Sequence, residues 1–373
     1  MTRRPDFSFF HSAAWTRVLV ETYGFTPVWQ AAGTSLLPRD PQREVCVEGA
    51  RPPNEPQKRS LFEESSPSPQ PSPPGRGRSC SRVLASILPL MEVDSWLTGR
   101  RGIALPFTDE CPPLCESEAE FKTLFQNAVE WGRSRGWKSL ELRGGRKFMG
   151  DAPASVAFYS HRLDLTAGET KLFENMDSSA RRGVRKAEKD GVTVEVSQSE
   201  EGMRDFYGLQ CLTRRRHGLP PQPWSFFLNL WRQIMSQNQG MVVLAGWGGA
   251  KIAGAVYFFL GGRAIYKYGA SDYRRQNLRP NNLVMWEGMK WLARQGATSL
   301  DLGKSSLAHD GLRKFKLNLG AREEQLEYIK WDLRRNQFQV ETDGVTGWHN
   351  QVFSRLPLFL SRRAGEMLYK HWA

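Results

Sequence analysis

Apolar residues recur along this chain at two spacings. In Glu118–Trp131 the residues Phe121, Leu124, Phe125, Ala128, Val129 and Trp131 follow a helical period, and Gly136 is a natural stop before the next strand. Phe25–Ala31, Val83–Leu90, Gly102–Leu105, Ser139–Arg143 and Ala157–Asp164 read as short strands, and Ser8–Tyr23 as a helix ahead of them. The second half repeats that rhythm. A basic helix over Glu169–Lys189 stops at Asp190-Gly191 and leads into a strand at Val192–Val196. Helices at Ser199–Arg215 and Trp224–Gln237 come next, then strands at Met241–Trp247 and Ile252–Leu260 joined by a Gly248-Gly249-Ala250-Lys251 turn. A strand at Ala264–Ala270, a helix at Asn282–Gln295, a strand at Ser299–Leu302, a short helix at Leu312–Leu317 and a strand at Gln325–Asp332 complete the pattern. Mixed strands covered by helices, in two successive copies, predict a duplicated α/β architecture with mixed α+β sheets.

One stretch breaks the rhythm. Pro38–Ser81 holds 10 of the 22 prolines in 44 residues and a single aromatic, Phe62. So little apolar area cannot offset the entropy of ordering, so the segment is expected to be a disordered insertion; a PxxP-type docking ligand is the alternative. The β-rich runs on either side would then be two strands of one hairpin interrupted at its turn. The expected organisation is a first domain over 1–165 carrying the insertion at 38–81, a second over 166–335, and a basic amphipathic tail over 336–373.

Charge sharpens the picture. The 373 residues carry 52 Lys and Arg against 39 Asp and Glu, a formal charge of +13. The insertion is neutral to within one charge, whereas Arg263–Arg322 holds 12 basic and 4 acidic residues. Within it, Arg274, Arg275 and Arg279 precede a helix start and form a candidate anion cradle, because free helix N–H groups add to guanidinium charge; a solvated basic loop is the alternative. Asp301 stands at a strand's carboxyl end, where α/β sites commonly collect; a buried, turn-forming Asp is the alternative. Lys316 follows Phe315, and aromatic packing that partly desolvates a lysine shifts its pKa downward, which suits it to orient or activate a substrate; an exposed lysine on a short helix is the alternative. Scattered Cys46, Cys80, Cys111, Cys115 and Cys211 form no zinc set.

The order Tyr266-x-Tyr268-Gly-Ala-Ser271, Tyr273-Arg274, Pro280-Asn281-Asn282, Trp286-Glu287, Leu300-Asp301-Leu-Gly303-Lys304-Ser305 and Phe315-Lys316-x-x-x-Gly320-Ala321 resembles the FemAB-like branch of the GNAT acyltransferase superfamily. It is similar in particular to acetyltransferase-like proteins of exopolysaccharide and exosortase gene clusters. Ser179-Ala-Arg181-Arg182-Gly-Val-Arg185-Lys186 matches that family's Arg-rich helix, and Leu88-Pro89-Leu90 with Leu105-Pro106-Phe107 its first half. The resemblance spans residues 7–332 apart from the insertion. It implies two tandem GNAT-like domains facing a common cleft, and acyl transfer to an amine. In the peptidoglycan members the donor is an aminoacyl-tRNA and the acceptor a cell-wall precursor. By similarity, Phe315 and Lys316 would lie near the donor's acyl end, and Arg181, Arg185 and Lys186 would hold acceptor phosphates. Lys304 replaces the relatives' usual Arg and Leu319 their usual Trp, which removes a bidentate fork from anion binding.

The expectation is therefore a cytoplasmic acetyl- or aminoacyltransferase, with a place peripheral to the inner membrane as the alternative, acting on a phosphate-bearing cell-envelope precursor. Lys316, Asp301 and Tyr268 are its candidate catalytic residues. Arg181, Arg185, Lys186, Arg274, Arg275, Arg279, Asn281, Lys304, Ser305 and Phe315 are its candidates for substrate and anion contact. No tightly bound cofactor, metal or DNA is expected. The donor stays open between aminoacyl-tRNA and acyl-CoA, although Arg275-Gln-Asn-Leu278-Arg279-Pro280 lacks the glycines of a CoA pyrophosphate turn. A module that binds tRNA or another polyanion without chemistry is the alternative. The tail Trp348–Trp372 mixes apolar and basic residues, and suits either an anionic membrane surface or a helix closing the domain.

Overall fold

The computed structural model describes residues 4, 6–32, 35–38, 80–83, 86–340, 353 and 355–372. Two compact units divide the chain: Gly33–Ala85, and everything else. The first contributes a two-stranded antiparallel ladder, β2 (Ser35–Pro38) with β3 (Cys80–Val83). The Pro-rich core of the expected insertion lies outside the described residues.

In the larger unit, β1 (Thr26–Ala32) pairs antiparallel with β4 (Ser86–Val93), as the interrupted-hairpin reading expects. They open a 12-stranded mixed sheet. Across it follow β5 (Arg101–Ile103), β6 (Ser139–Arg143), β13 (Arg322–Asp332), β7 (Val156–Asp164), β12 (Ser299–Ser306), β11 (Arg263–Ser271), β10 (Ala250–Leu260), β9 (Gly240–Trp247) and β8 (Thr193–Ser197). A short β14 (Gln337–Gln339) pairs with β13. The halves of the sequence interlock: β13 separates β6 from β7, and β7 joins β12.

Both faces of the sheet's centre are buried, and β10 shows how. Val256 and Phe258 pack into a core with Trp15, Phe206 and Phe226, whereas Ala255 and Tyr257 join one with Val184, Leu283 and Leu300 on the other face. The helix α1 (Ala13–Tyr23) is capped by Ser12 Oγ and packs on α6 (Trp224–Gln233). The helix α2 (Glu118–Ser134) covers β1 and β4, with Phe121, Leu124 and Ala128 buried. Trp131, expected in that core, is 46% exposed. The helix α5 (Glu200–Arg216) lies on β10 and β11.

The expected helix over Glu169–Lys189 is two, α3 (Glu169–Asn175) and α4 (Ser178–Lys189). Asp177 divides them: its Oδ1 accepts the Ser179 N–H at 2.8 Å, a local bond that competes with helix continuation. α4 packs on α7 (Pro280–Arg294) through Gly183, where a Cβ would come within 2.8 Å of the Asn282 side chain. A short α8 (Asp310–Asn318) follows β12, and α9 (Leu358–Leu368) lies in the tail. Among the described residues no helix is long and apolar enough to cross a membrane.

Candidate active site

Strands β11 and β12 run parallel but pair only over Arg263–Ile265 with Ser299–Asp301. Two irregularities then open the sheet. Val256 pairs with Tyr268 and Tyr257 with Tyr266, which leaves Lys267 as the extra, bulged residue of β11. The pairing of β12 with β7 breaks between Asp301 and Lys304, and Gly303 in the break has φ +72°. Beside these two defects lies a cleft of about 460 Å³, into which Lys267, Lys304 and Lys316 converge on Asp109.

Asp109 enters from the segment after β5. Leu105 and Phe107 there both hold φ in the left-handed region, at +48° and +60°, conformations that cost non-glycine residues about 1 kcal/mol or more each. The Asp109 carboxylate bonds Lys267 Nζ at 2.9 Å, with the lysine side chain only 6% exposed. Burial pushes the Asp109 carboxyl up, but the ammonium groups of Lys267, Lys304 and Lys316 outweigh it and hold it below its usual value.

Lys316, on α8, is 3% exposed. Its Nζ donates to the carbonyls of Gly303 (2.7 Å) and Lys304 (3.0 Å), so two of its three protons are committed and one remains. Burial pushes its pKa down to about 8. Lys304 titrates at about 8 as well, first through burial and then through the nearby Arg143. Its Nζ lies over the rings of Phe158 and Tyr328, 4.0 and 4.4 Å from their centroids, and donates to Tyr328 Oη at 3.0 Å. Tyr328 in turn donates to the Asp109 carbonyl at 2.5 Å, tying β13 to the floor of the site.

The expected residues divide. Phe315, Asn281, Lys304 and Lys316 line the cleft. Asp301 does not; it faces a separate cavity of about 600 Å³ with Glu110, Arg162 and Arg263. There its Oδ1 accepts the Gly303 N–H at 2.7 Å, and burial lifts its pKa to about 6. It therefore shapes the turn whose carbonyl holds Lys316, a positioning part. Tyr268 packs its ring against Phe226 and Phe227, away from the cleft, and burial drives its hydroxyl well above the usual value. Ser305 is buried beside the break without lining the cleft.

The anion set divides too. Arg185, Lys186 and Arg279 line a groove of about 720 Å³ together with Arg182 and Lys314, and no carboxylate is among the described residues lining it. Gly311 and Phe315 border both this groove and the cleft. Close approach of α4 to α7 at Gly183 forms its base. Arg181 lies on the other flank of α4 among Glu169, Glu174 and Glu188. Arg274 is paired with Asp272 at 2.8 Å, and Arg275 stacks on Trp247, its guanidinium carbon 4.9 Å from the ring centroid. The cradle expected from the three arginines is therefore not assembled; only Arg279 faces the groove. Ahead of α7, Pro280 has no N–H and the Asn282 N–H is bonded to the Arg279 carbonyl, which leaves few donors for a pyrophosphate.

Asp109, Lys267, Tyr328, Arg182 and Lys314 escaped the sequence reading. Lys267 sat inside a quoted motif, but a bulge rather than strand alternation aims it. The strained Leu105-Pro106-Phe107 segment is the one sequence signal near Asp109.

Residues 175–317 match the family described as acetyltransferase (GNAT) domain. No curated protein matches the sequence. Among solved structures, the chain is similar to FemX at TM-score 0.61 and 14% identity, over 87% of this chain and 93% of that one. It is also similar, at TM-score 0.47 and 18% identity, to the C-terminal domain of a putative lysylphosphatidylglycerol synthetase from Agrobacterium fabrum, over 64% of this chain and 79% of that one. A tandem GNAT protein from the clavulanic acid biosynthesis pathway matches at TM-score 0.44 and 11% identity, over 70% and 81%. Residues 175–317 thus carry an acetyltransferase (GNAT)-type domain, and the fold over most of the chain is like that of FemX.

Proposed function

We propose that this protein acts from the cytoplasm to transfer an acyl group from an ester- or thioester-activated, phosphate-bearing donor to a primary amine of a cell-envelope precursor. The observation that carries the reading is the cleft itself: three lysines converge on one partly buried carboxylate, beside a groove walled by cations. The acceptor class rests on the sequence resemblance set out above.

The charges suggest how the work is divided. Asp109, held anionic, pairs with the incoming ammonium and orients its nitrogen toward the acyl carbon. Lys304, titrating at about 8, has a neutral fraction at and above neutral pH, and that form can take up the first proton that the amine must lose. As the nitrogen attacks, negative charge grows on the carbonyl oxygen; the remaining Lys316 proton is suited to meet it, with its ammonium fixed beforehand by two backbone carbonyls. The carbon–oxygen or carbon–sulfur bond of the donor then breaks, and the leaving group departs with the second proton, which the nitrogen releases as the amide forms. The groove at Arg182, Arg185 and Lys186 would hold the donor's phosphates. It suits an aminoacyl-tRNA better than CoA, because the turn before α7 offers few backbone donors.

The test supplies the purified protein with an aminoacyl-tRNA and with acetyl-CoA separately, together with amine-bearing muropeptide or amino-sugar acceptors, and reads products by mass. A new amide from one donor, abolished by Lys316→Met with donor binding retained, supports the reading. Tight, salt-sensitive polyanion binding without any amide product would support a binding module instead.

A further inference from the structure

The tail helix α9 is docked through its small side. Ser361 and Gly365 are buried, and a Cβ at Gly365 would collide with the Pro221 carbonyl. Beyond the helix, Tyr369 Oη donates to the Pro220 carbonyl at 3.2 Å and accepts from Arg214 Nη2 at 2.6 Å. The opposite side is exposed and mixed: Phe359 is 66% exposed and Met367 71%, and between them stand Lys370 and Arg363, the latter paired with Glu366 at 3.1 Å. Helical spacing puts Leu360 and Met367, i and i+7, along one line of α9, and His371 follows in the 3-10 turn after the helix.

A distant loop extends that line. His371 Nε2 accepts the Trp96 indole N–H at 2.9 Å, and its Nδ1 bonds Ser95 Oγ at 3.0 Å. The imidazole thus pins the 95–98 loop to the tail, and Trp96 and Leu97 stand out from it, 82% and 51% exposed. Elsewhere in the fold large aromatics are mostly spent on the core, so two such segments joined by a buried histidine form an exposed edge that carries large apolar side chains. Its charge selects the occupant. Residues 355–372 carry Arg355, Arg362, Arg363 and Lys370 against the single acid Glu366. Another copy of the same basic face would be repelled, whereas anionic headgroups complement it, and tryptophan suits the boundary between acyl chains and water.

We propose that α9 and the 95–98 loop form one docking face for an anionic lipid bilayer. Tyr369 ties this face to α5 through Arg214, and Thr213 and Arg216 of the same turn line the cleft. Docking would therefore bring the mouth of the cleft to the membrane surface, where a lipid-linked substrate can reach it. Binding to lipid is independent of the transfer reaction, and its test needs no substrate.

The full chain is sedimented with phosphatidylcholine vesicles and with vesicles in which a third of the lipid is phosphatidylglycerol. It should partition into the second and hardly into the first. Phe359→Ser with Met367→Ser, and separately Arg363→Glu with Lys370→Glu, should each lower partitioning by about tenfold or more, since every exposed aromatic or basic contact at a bilayer is worth roughly a factor of five. Trp131→Ser, on the exposed side of α2, is the control and should bind as the parent does. All these side chains are exposed, so thermal melts should agree within a few degrees. Absence of binding to phosphatidylglycerol vesicles would overturn the proposal. So would equal binding by parent and both double variants, or a dimer that the variants dissolve without any lipid affinity.

Discussion

Lys316→Met tests the site's electrostatics before any substrate is known. A depression from 10.5 to about 8 corresponds to about 3 kcal/mol of penalty on the charged amine in the folded protein. Below pH 8 both folded and unfolded chains hold the proton, so the wild type carries the whole penalty. Between pH 8 and 10.5 the unfolded chain still binds it and the folded chain does not, so stability rises with pH; above 10.5 the penalty is gone. Methionine removes this penalty but strands the Gly303 and Lys304 carbonyls, at about 1 kcal/mol each. At pH 7 the variant should therefore lie within about 2 kcal/mol of the wild type, on the stable side, and near pH 10.5 it should be the weaker by a similar amount. Urea unfolding followed by circular dichroism at several pH values measures the difference directly. A wild-type-minus-variant difference that stays constant between pH 7 and 10.5 would refute the argument that Lys316 is a desolvated amine.

Asp109→Asn leaves Lys267 buried without its counter-charge, which should destabilise the fold by about 3–5 kcal/mol in thermal or urea unfolding. It should also push Lys304 and Lys316 further down, moving any alkaline limb of the transfer rate to lower pH. Arg185→Glu with Lys186→Glu should weaken donor binding more than about tenfold at low salt and much less at high salt, with turnover at saturation retained; titrations at two ionic strengths check it. Gly303→Ala places a Cβ at φ +72°, which should cost about 1–2 kcal/mol and slow transfer by turning the carbonyl that holds Lys316.

The sequence made periodic elements legible and local defects illegible. The strands flanking the Pro-rich stretch could be paired because their β-character survives the interruption, and α2 could be read because Phe121, Leu124 and Ala128 keep one face. Lys316 was found through its motif, although a lysine on a short helix is ordinarily exposed. What failed depends on competition or on long-range pairing. Asp177 caps α4 and divides a helix whose composition is continuous. The insertion of β13 between β6 and β7 is a tertiary event with no local signature. Lys267 and Tyr268 are adjacent, so only one of them could be aimed at the cleft, and the bulge chose the lysine. For Asp301 the turn-forming alternative holds: its carboxylate works from behind β12, through the Gly303 turn.

The most direct test of the central claim is product formation by the wild type and Lys316→Met, side by side, with each donor and an amine acceptor. The account predicts a mass increase of one acyl group on the acceptor amine for the wild type, and a rate at least about 100-fold lower for the variant at matched donor binding, the loss expected when an oxyanion donor is removed. Equal rates for the two proteins, or no amide from either donor while both still bind it, would contradict it.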